Sequence, residues 1–228
     1  MSVRIATYNI HRCIGRDKVT DPCRIAAVLR EIDPDIVALQ EVAHRPGQPG
    51  NVLDQLASAI DATAIEGTTL LDQNGHYGNA LLCRMPHTTV KRVDISVPGR
   101  EQRGAIVVTL TLYNHSMKIV ATHLGLRSAE KRYQVGRILD LFTPGLMQVD
   151  VLLGDLNLWY PGGPTLRRLT RTFEPVPAPA TFPSQRPLLA LDRLYVRPRS
   201  KLVALATHKT RLSRVASDHL PLVADLDL

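Results

Sequence analysis

Val149-Asp150-Val151-Leu152-Leu153-Gly154-Asp155-Leu156-Asn157 is an apolar run that opens into a Gly-Asp-x-Asn turn. The run reads as a buried strand, and the glycine allows a close backbone approach where the strand ends. Asp155 and Asn157 stand two residues apart, a spacing that puts both side chains on one face of a strand. A carboxylate and a carboxamide placed this way can address the same ligand. The same pair is also a common turn former, so the tetrapeptide by itself leaves both readings open.

Outward from this stretch, other strand-like runs deliver polar residues of the same kinds. Residues 3–11 carry Asn9, residues 35–41 end in Glu41, and Lys118-Ile119-Val120-Ala121 leads into Thr122-His123-Leu124. Leu191-Asp192-Arg193-Leu194-Tyr195 carries Asp192, and Ser217-Asp218-His219 precedes a closing apolar run from Leu220. Strands are expected at residues 3–10, 35–41, 63–70, 77–84, 88–96, 104–112, 117–123, 149–154, 189–196, 201–208 and 220–227. Asp21-Pro22 predicts an N-cap followed by a helix with Ile25, Val28, Leu29 and Ile32 in one stripe, stopped by Asp33-Pro34. A second helix is expected from Ser128, with Val135, Ile138, Leu139 and Phe142 buried and Pro144-Gly145 ending it. Weaker helices are expected at residues 51–60 and 164–172. Many strands with a few helices indicate layered α/β packing, and two stacked sheets fit this strand count better than one. No linker or low-complexity stretch divides residues 1–228, so one domain is expected.

The ordered set Asn9, Glu41, His123, Asp155 with Asn157, Asp192, and Asp218 with His219 resembles the endonuclease/exonuclease/phosphatase (deoxyribonuclease I-like) superfamily, in its small bacterial form. The resemblance runs from residue 7 to residue 219. It implies a four-layer α/β sandwich, with two stacked mixed β-sheets flanked by helices. It also implies Glu41 as the main ligand of Mg²⁺ or Mn²⁺, with Asn9 beside it and Asp218 contributing directly or through water. Asp155 would orient and deprotonate the attacking water, and Asn157 would donate to a non-bridging phosphate oxygen. His219 with Asp192 resembles the family's His-Asp dyad, although Asp192 next to Arg193 reads equally as an ordinary ion pair when taken alone. Thr122-His123-Leu124 is similar to members in which the histidine contacts the scissile phosphate; repair nucleases of the family carry a tyrosine motif instead. Asn79, in Tyr77-Gly78-Asn79, resembles the family's Gly-Asn strand. Arg103 stands where related members carry an arginine, to contact phosphate or to form a structural salt bridge. Trp159 and Tyr160 would form a lip that stacks on substrate or covers a sheet edge. Thr181-Phe182-Pro183 and Pro187 to Arg193 resemble the small bacterial members.

Elementary electrostatics agrees with a metal site. Two carboxylates ~4 Å apart repel by roughly 4 kcal/mol at an effective dielectric near 20. A cluster of Glu41, Asp155, Asp192 and Asp218 therefore needs a cation or a raised pKa. Oxygen donors without cysteine favour Mg²⁺ or Mn²⁺ over zinc. The three cysteines have no Cys-x-x-Cys spacing, which points to reduced thiols, and Cys23 and Cys83 read as small core residues.

The chain has 228 residues, 44% of them hydrophobic, and a formal net charge of +7. Residues 160–215 hold eleven Lys/Arg against two acids, Glu174 and Asp192. This asymmetry suits either an anionic partner, whether phosphorylated small molecule, membrane surface or nucleic acid, or a merely solvated basic face. No run reaches the ~20 apolar residues that span a bilayer, no signal-peptide pattern is present, and a cytoplasmic monomer is expected. The resulting expectation is a divalent-metal-dependent phosphoesterase that hydrolyses a phosphodiester of a small molecule or lipid head group. A Mg²⁺-dependent DNA or RNA nuclease, or a non-catalytic phosphate-binding protein, are the alternatives. Short connections between strands argue against a groove-gripping nuclease.

Overall fold

A computed structural model describes residues 1–73, 75–112, 115–142, 148–160 and 162–228. In chain order its elements are β1 (Ser2–Asn9), α1 (Pro22–Ile32), β2 (Ile36–His44), α2 (Val52–Ser58), β3 (Thr63–Asp72), β4 (Gly75–Cys83), β5 (Thr89–Asp94), β6 (Gly104–Leu112), β7 (His115–His123), α3 (Ser128–Leu139), β8 (Gln148–Asp155), α4 (Pro164–Thr172), β9 (Asp192–Arg197), β10 (Leu202–Thr207), α5 (Ser213–Ala216) and β11 (Leu222–Asp227). The strands form a six-stranded sheet, β10-β11-β1-β2-β4-β3, and a five-stranded sheet, β5-β6-β7-β8-β9. Each sheet has one parallel pair, β1 with β2 and β7 with β8; the remaining pairs are antiparallel. Helices α1 and α3 lie in the connections that a parallel pair requires.

Period-two alternation produces the layers. On β1, Val3 and Ile5 face the space between the sheets, whereas Ala6 and Tyr8 face outward. On β8, Val149, Val151 and Leu153 point inward, and Leu152 points outward. The inward residues of both sheets make one shared core. A second core lies under α1 and α2 against the six-stranded sheet, and a third joins α3 and α4 to the five-stranded sheet. The result is the expected four-layer sandwich.

Helix α1 follows its sequence closely. The Asp21 carboxylate accepts from the Arg24 N–H at 3.1 Å, Pro22 occupies the first turn, and Ile25, Val28, Leu29 and Ile32 are buried. Cys23, expected in the core, is exposed. It lies two positions before Ile25, about 200° around the helix and thus on the solvent side. Cys83 and Cys13 are buried. Strand β9 begins at Asp192 rather than 189, because Leu189 instead bridges back to Phe182. The four-residue α5 was too short to leave a periodic signal. Pro144 and Gly145, the expected stop of α3, lie outside the described residues.

Gly154 has φ +145°, and a Cβ at this position would lie 1.8 Å from the Thr122 carbonyl oxygen of the neighbouring strand. Both the conformation and the space require glycine. Gly154→Ala should therefore lower stability by about 3 kcal/mol or more, combining backbone strain with an unavoidable clash. Urea unfolding monitored by circular dichroism measures this, and an unchanged midpoint would contradict it.

Candidate active site

The polar strand ends converge where the two sheets meet. Asn9 ends β1, and its Nδ2 donates to Glu41 Oε1 at 3.0 Å and to Asp155 Oδ2 at 3.1 Å. Glu41 belongs to the same sheet and Asp155 to the other. The Asn9 Oδ1 accepts from the His11 N–H at 3.0 Å, which fixes the amide with its nitrogen toward the two carboxylates. Glu41 sits at a register shift in the β2–β4 pairing and has φ +56°. A β-bulge of this kind re-aims a side chain, at a conformational cost of about 1–3 kcal/mol. Asn157, at φ +52°, sits in the same left-handed region, which asparagine tolerates better than most residues.

Asp155 is buried. Its Oδ1 accepts from the Asn157 N–H at 3.1 Å, and its Oδ2 lies 3.5 Å from His123 Nε2 and 3.8 Å from His219 Nε2. Burial raises its pKa, the two histidines oppose that rise, and nearby Asp192 adds to it. Asn157 donates one side-chain N–H to the Leu124 carbonyl at 3.0 Å, and the buried Lys131 ammonium holds its carbonyl at 2.6 Å.

The two histidines are tuned in opposite directions. Arg103 donates to His123 Nδ1 at 2.9 Å. An arginine can only donate, so Nδ1 must accept and the ring proton resides on Nε2. Burial, with Arg103 and His219 adding their repulsion, drives the His123 pKa down to about 4 against the pull of Asp155. His219 behaves otherwise. Burial would lower its pKa, but the charge of Asp192 and a 2.8 Å hydrogen bond from Nδ1 to Asp192 Oδ2 raise it to about 10, with help from Asp155 and Asp218. At neutral pH the site therefore holds a neutral His123 and an imidazolium at His219.

Asp192 is fully buried, and the Thr181 hydroxyl also donates to its Oδ2, at 2.5 Å. The Phe182 ring packs on His219 with centroids 4.9 Å apart. In the sequence Thr181 stands out only as part of a short motif; its role depends on a contact across eleven residues that no spacing rule encodes. Asp192 makes no ion pair with Arg193, whose guanidinium instead donates to the Leu158 carbonyl at 2.8 Å. Arg197 likewise turns inward and pairs with buried Asp150. The basic segment 160–215 thus spends part of its charge inside the protein.

A cleft of about 620 Å³ opens over this cluster, lined among others by Glu41, His123, Asp155, Asn157, His219 and Arg103. Asn9 and Asp192 stand buried behind that lining. Asp218 is partly exposed beside it, with His11 Nδ1 3.7 Å from its carboxylate. Arg12, Tyr77 and Leu126 also line the cleft and were not singled out in the sequence; the Arg12 guanidinium stacks 4.5 Å above the Tyr77 ring. Asn79 donates to the Gly104 carbonyl at 3.1 Å and ties the two sheets together behind Glu41 and His123. Trp159 is not part of the cleft lining; it is exposed, edge-on to Tyr160.

The donor chemistry fits a hard divalent cation. Glu41 and Asp155 are both drawn onto one amide nitrogen, so the Asn9 N–H group provides the positive end that these carboxylates require. Asp155, Asp192 and His219 also come within 4.8 Å of one another, although His219 Nδ1 and Asp192 are already joined by their hydrogen bond.

A model of the Endonuclease/Exonuclease/phosphatase family matches residues 6–219. A relative from Escherichia coli (strain K12), "Uncharacterized protein YbhP", is 31% identical over 248 residues, covering 100% of this chain and 97% of its own. The crystal structure of an endonuclease/exonuclease/phosphatase from Beutenbergia cavernae DSM 12333 superposes with a TM-score of 0.80 at 25% identity, covering 100% of this chain and 72% of that one. D. rerio TDP2 complexed with single strand DNA product shares the fold, with a TM-score of 0.72 at 14% identity and coverage of 100% and 99%.

The raised pKa of His219 has a stability consequence of definite sign. The folded protein holds this proton more tightly than the unfolded chain, whose histidine titrates near 6.5. Its stabilisation is complete below about pH 6.5 and is lost as pH rises toward 10. The stability gap between wild type and His219→Gln, measured by urea unfolding in chelator, should shrink steadily across that window. A gap that widens with pH would reverse the assignment of His219 as an imidazolium.

Proposed function

This chain belongs to the endonuclease/exonuclease/phosphatase family, and on that premise we propose that it is a divalent-metal-dependent phosphodiesterase of small-molecule or lipid head-group substrates. Family members are phosphoesterases or nucleases, hydrolysing phosphoester bonds. The observation that carries this reading is the joining of Glu41, Asn9 and Asp155 across the two sheets beside a His219–Asp192 dyad, all at one cleft.

Glu41 would hold Mg²⁺ or Mn²⁺, with Asn9 and Asp218 beside it. A bound divalent ion there supplies Lewis-acid polarisation of a phosphoryl oxygen and offsets charge on the leaving group. For Asn9 to offer its oxygen, the amide must turn over and release the His11 N–H. Asp155, with its raised pKa and two fixed hydrogen bonds, is suited to orient water and take its proton. His123 presents its Nε2–H to a non-bridging phosphate oxygen, held in that tautomer by Arg103. Asn157 has a second side-chain N–H for the same oxygen set. The His219 imidazolium stabilises the negative charge that grows on the phosphoryl group, and Asp192 with Thr181 fixes its ring.

The cleft volume of about 620 Å³ is in the range of small-ligand sites, which supports a compact substrate. Exposed Trp159 and Tyr160 favour a second reading, a nuclease that stacks bases beside the site. On either reading, Glu41→Gln and Asp155→Asn should each lower kcat on bis-p-nitrophenyl phosphate by at least about 10²-fold, and chelation should abolish turnover. Both variants should retain wild-type circular dichroism. Assays of phospholipids, inositol phosphates, single-stranded RNA, plasmid and abasic duplex at ~150 mM salt separate the two readings. Turnover confined to nucleic acid would establish the nuclease.

A further inference from the structure

Outside the cleft, a second group of metal-ligating side chains comes together on three neighbouring strands. His44 on β2, Glu66 on β3 and His76 on β4 each bring one ligand atom within 4.8 Å of the others. His44 and His76 are direct cross-strand partners, their rings edge to face at 5.3 Å. Glu66 Oε2 lies 4.0 Å from His44 Nε2 and 3.7 Å from His76 Nδ1. These separations are too long for hydrogen bonds. They are close to what one ion would impose, since ligand bonds of ~2.0–2.1 Å in a tetrahedron set neighbouring donors roughly 3.4 Å apart. Both Glu66 separations exceed that spacing by roughly half an ångström or less, and all three donors lie within 4.8 Å of one another.

The surroundings point the same way. His44 is buried with the Asn51 side chain beside its ring, and its Nε2 is the nitrogen that faces Glu66. The side chains of Glu66 and His76 are 37% and 32% exposed, which leaves an entry path and room for a water as fourth ligand. The Thr68 hydroxyl, 3.4 Å from His76 Nδ1, stands ready as a further polar neighbour.

We propose that His44, Glu66 and His76 form a second metal site, separate from the phosphoesterase cleft, that takes a borderline transition-metal cation such as Zn²⁺. Two imidazoles and one carboxylate select zinc over magnesium, which prefers all-oxygen shells. The site would pin β2, β4 and β3 just beyond the bulge that aims Glu41, since His44 follows Glu41 by three residues and His76 immediately precedes the cleft residue Tyr77. Its role is structural.

The test is calorimetric titration of the chelator-stripped full chain with ZnCl₂, paired with crystals of the zinc-loaded protein measured at the zinc absorption edge. One saturable site is expected that is retained in Glu41→Gln, which removes the cleft's own ligand, and weakened at least 10–100-fold in both Glu66→Gln and His76→Gln, as loss of a ligand should cost no less than loss of its supporting contacts. The anomalous peak should lie between His44, Glu66 and His76, and zinc should raise the wild-type melting temperature but not that of His76→Gln. A peak only in the cleft, whether at Glu41 and Asp218 or at Asp155, Asp192 and His219, zinc affinity unchanged in both variants, or no saturable binding would each overturn the proposal. The anomalous map needs no variant, so it decides the matter even if a substitution impairs folding.

Discussion

Two carboxylates from different sheets share the amide of Asn9, and this single buried contact sets the demands on everything around it. Unscreened carboxylates at such range repel by several kcal/mol, so their approach has to be enforced by the rest of the fold. The shared core between the sheets supplies that enforcement, because the inward faces of β1, β2, β7 and β8 cannot separate without exposing Ile5, Ile36, Ile119 and Val151. Chemistry at this site is held in place by hydrophobic packing that contains no chemistry of its own.

Three of the unusual backbone conformations fall at the same place. Glu41 and Asn157 take left-handed φ values, and Gly154 occupies a space that no side chain could enter. Strain concentrated where strands deliver their functional groups is what a preorganised site requires, since relaxed strand geometry would leave Glu41 aimed along the pleat. The opposed tuning of His123 and His219 has the same origin. Both rings are buried beside Asp155, yet one faces an arginine and the other a carboxylate. A neutral donor and a cation thus stand on either side of one acid.

Much of this was legible in the chain. Asp21-Pro22 and the stripe from Ile25 to Ile32 encode α1 by local rules, and the apolar runs placed the strands because alternation is a property of neighbours in sequence. The convergence of Asn9, Glu41, Asp155, His123 and His219 could be expected only through family resemblance, as periodicity says nothing about which strand ends meet. The remaining contacts are non-local. The hydroxyl of Thr181 on Asp192, the ammonium of Lys131 on the Asn157 carbonyl and the stack of Arg12 on Tyr77 join segments by contacts that leave no pattern along the chain. Cys23 departs from expectation for a simpler reason: its apolar neighbours suggest burial, but the helical phase turns it outward. The inward turn of Arg193 and Arg197 was equally invisible, because charge counts do not distinguish a surface guanidinium from one that satisfies a buried carbonyl or carboxylate.

The order of strands in the larger sheet has a consequence for how the protein is made. Strand β1, which carries Asn9, pairs on one side with β2 and on the other with β11, more than two hundred residues later. The Ser217 hydroxyl, on the loop leading into β11, donates to the Asn9 carbonyl. One edge of β1 therefore stays unpaired until residues 222–227 have been made, and closure of that long loop must precede the contacts that reward it. His219 enters the cleft only at that last step. Until then the cluster around Asp155 lacks its second histidine, and the cleft is completed together with β11.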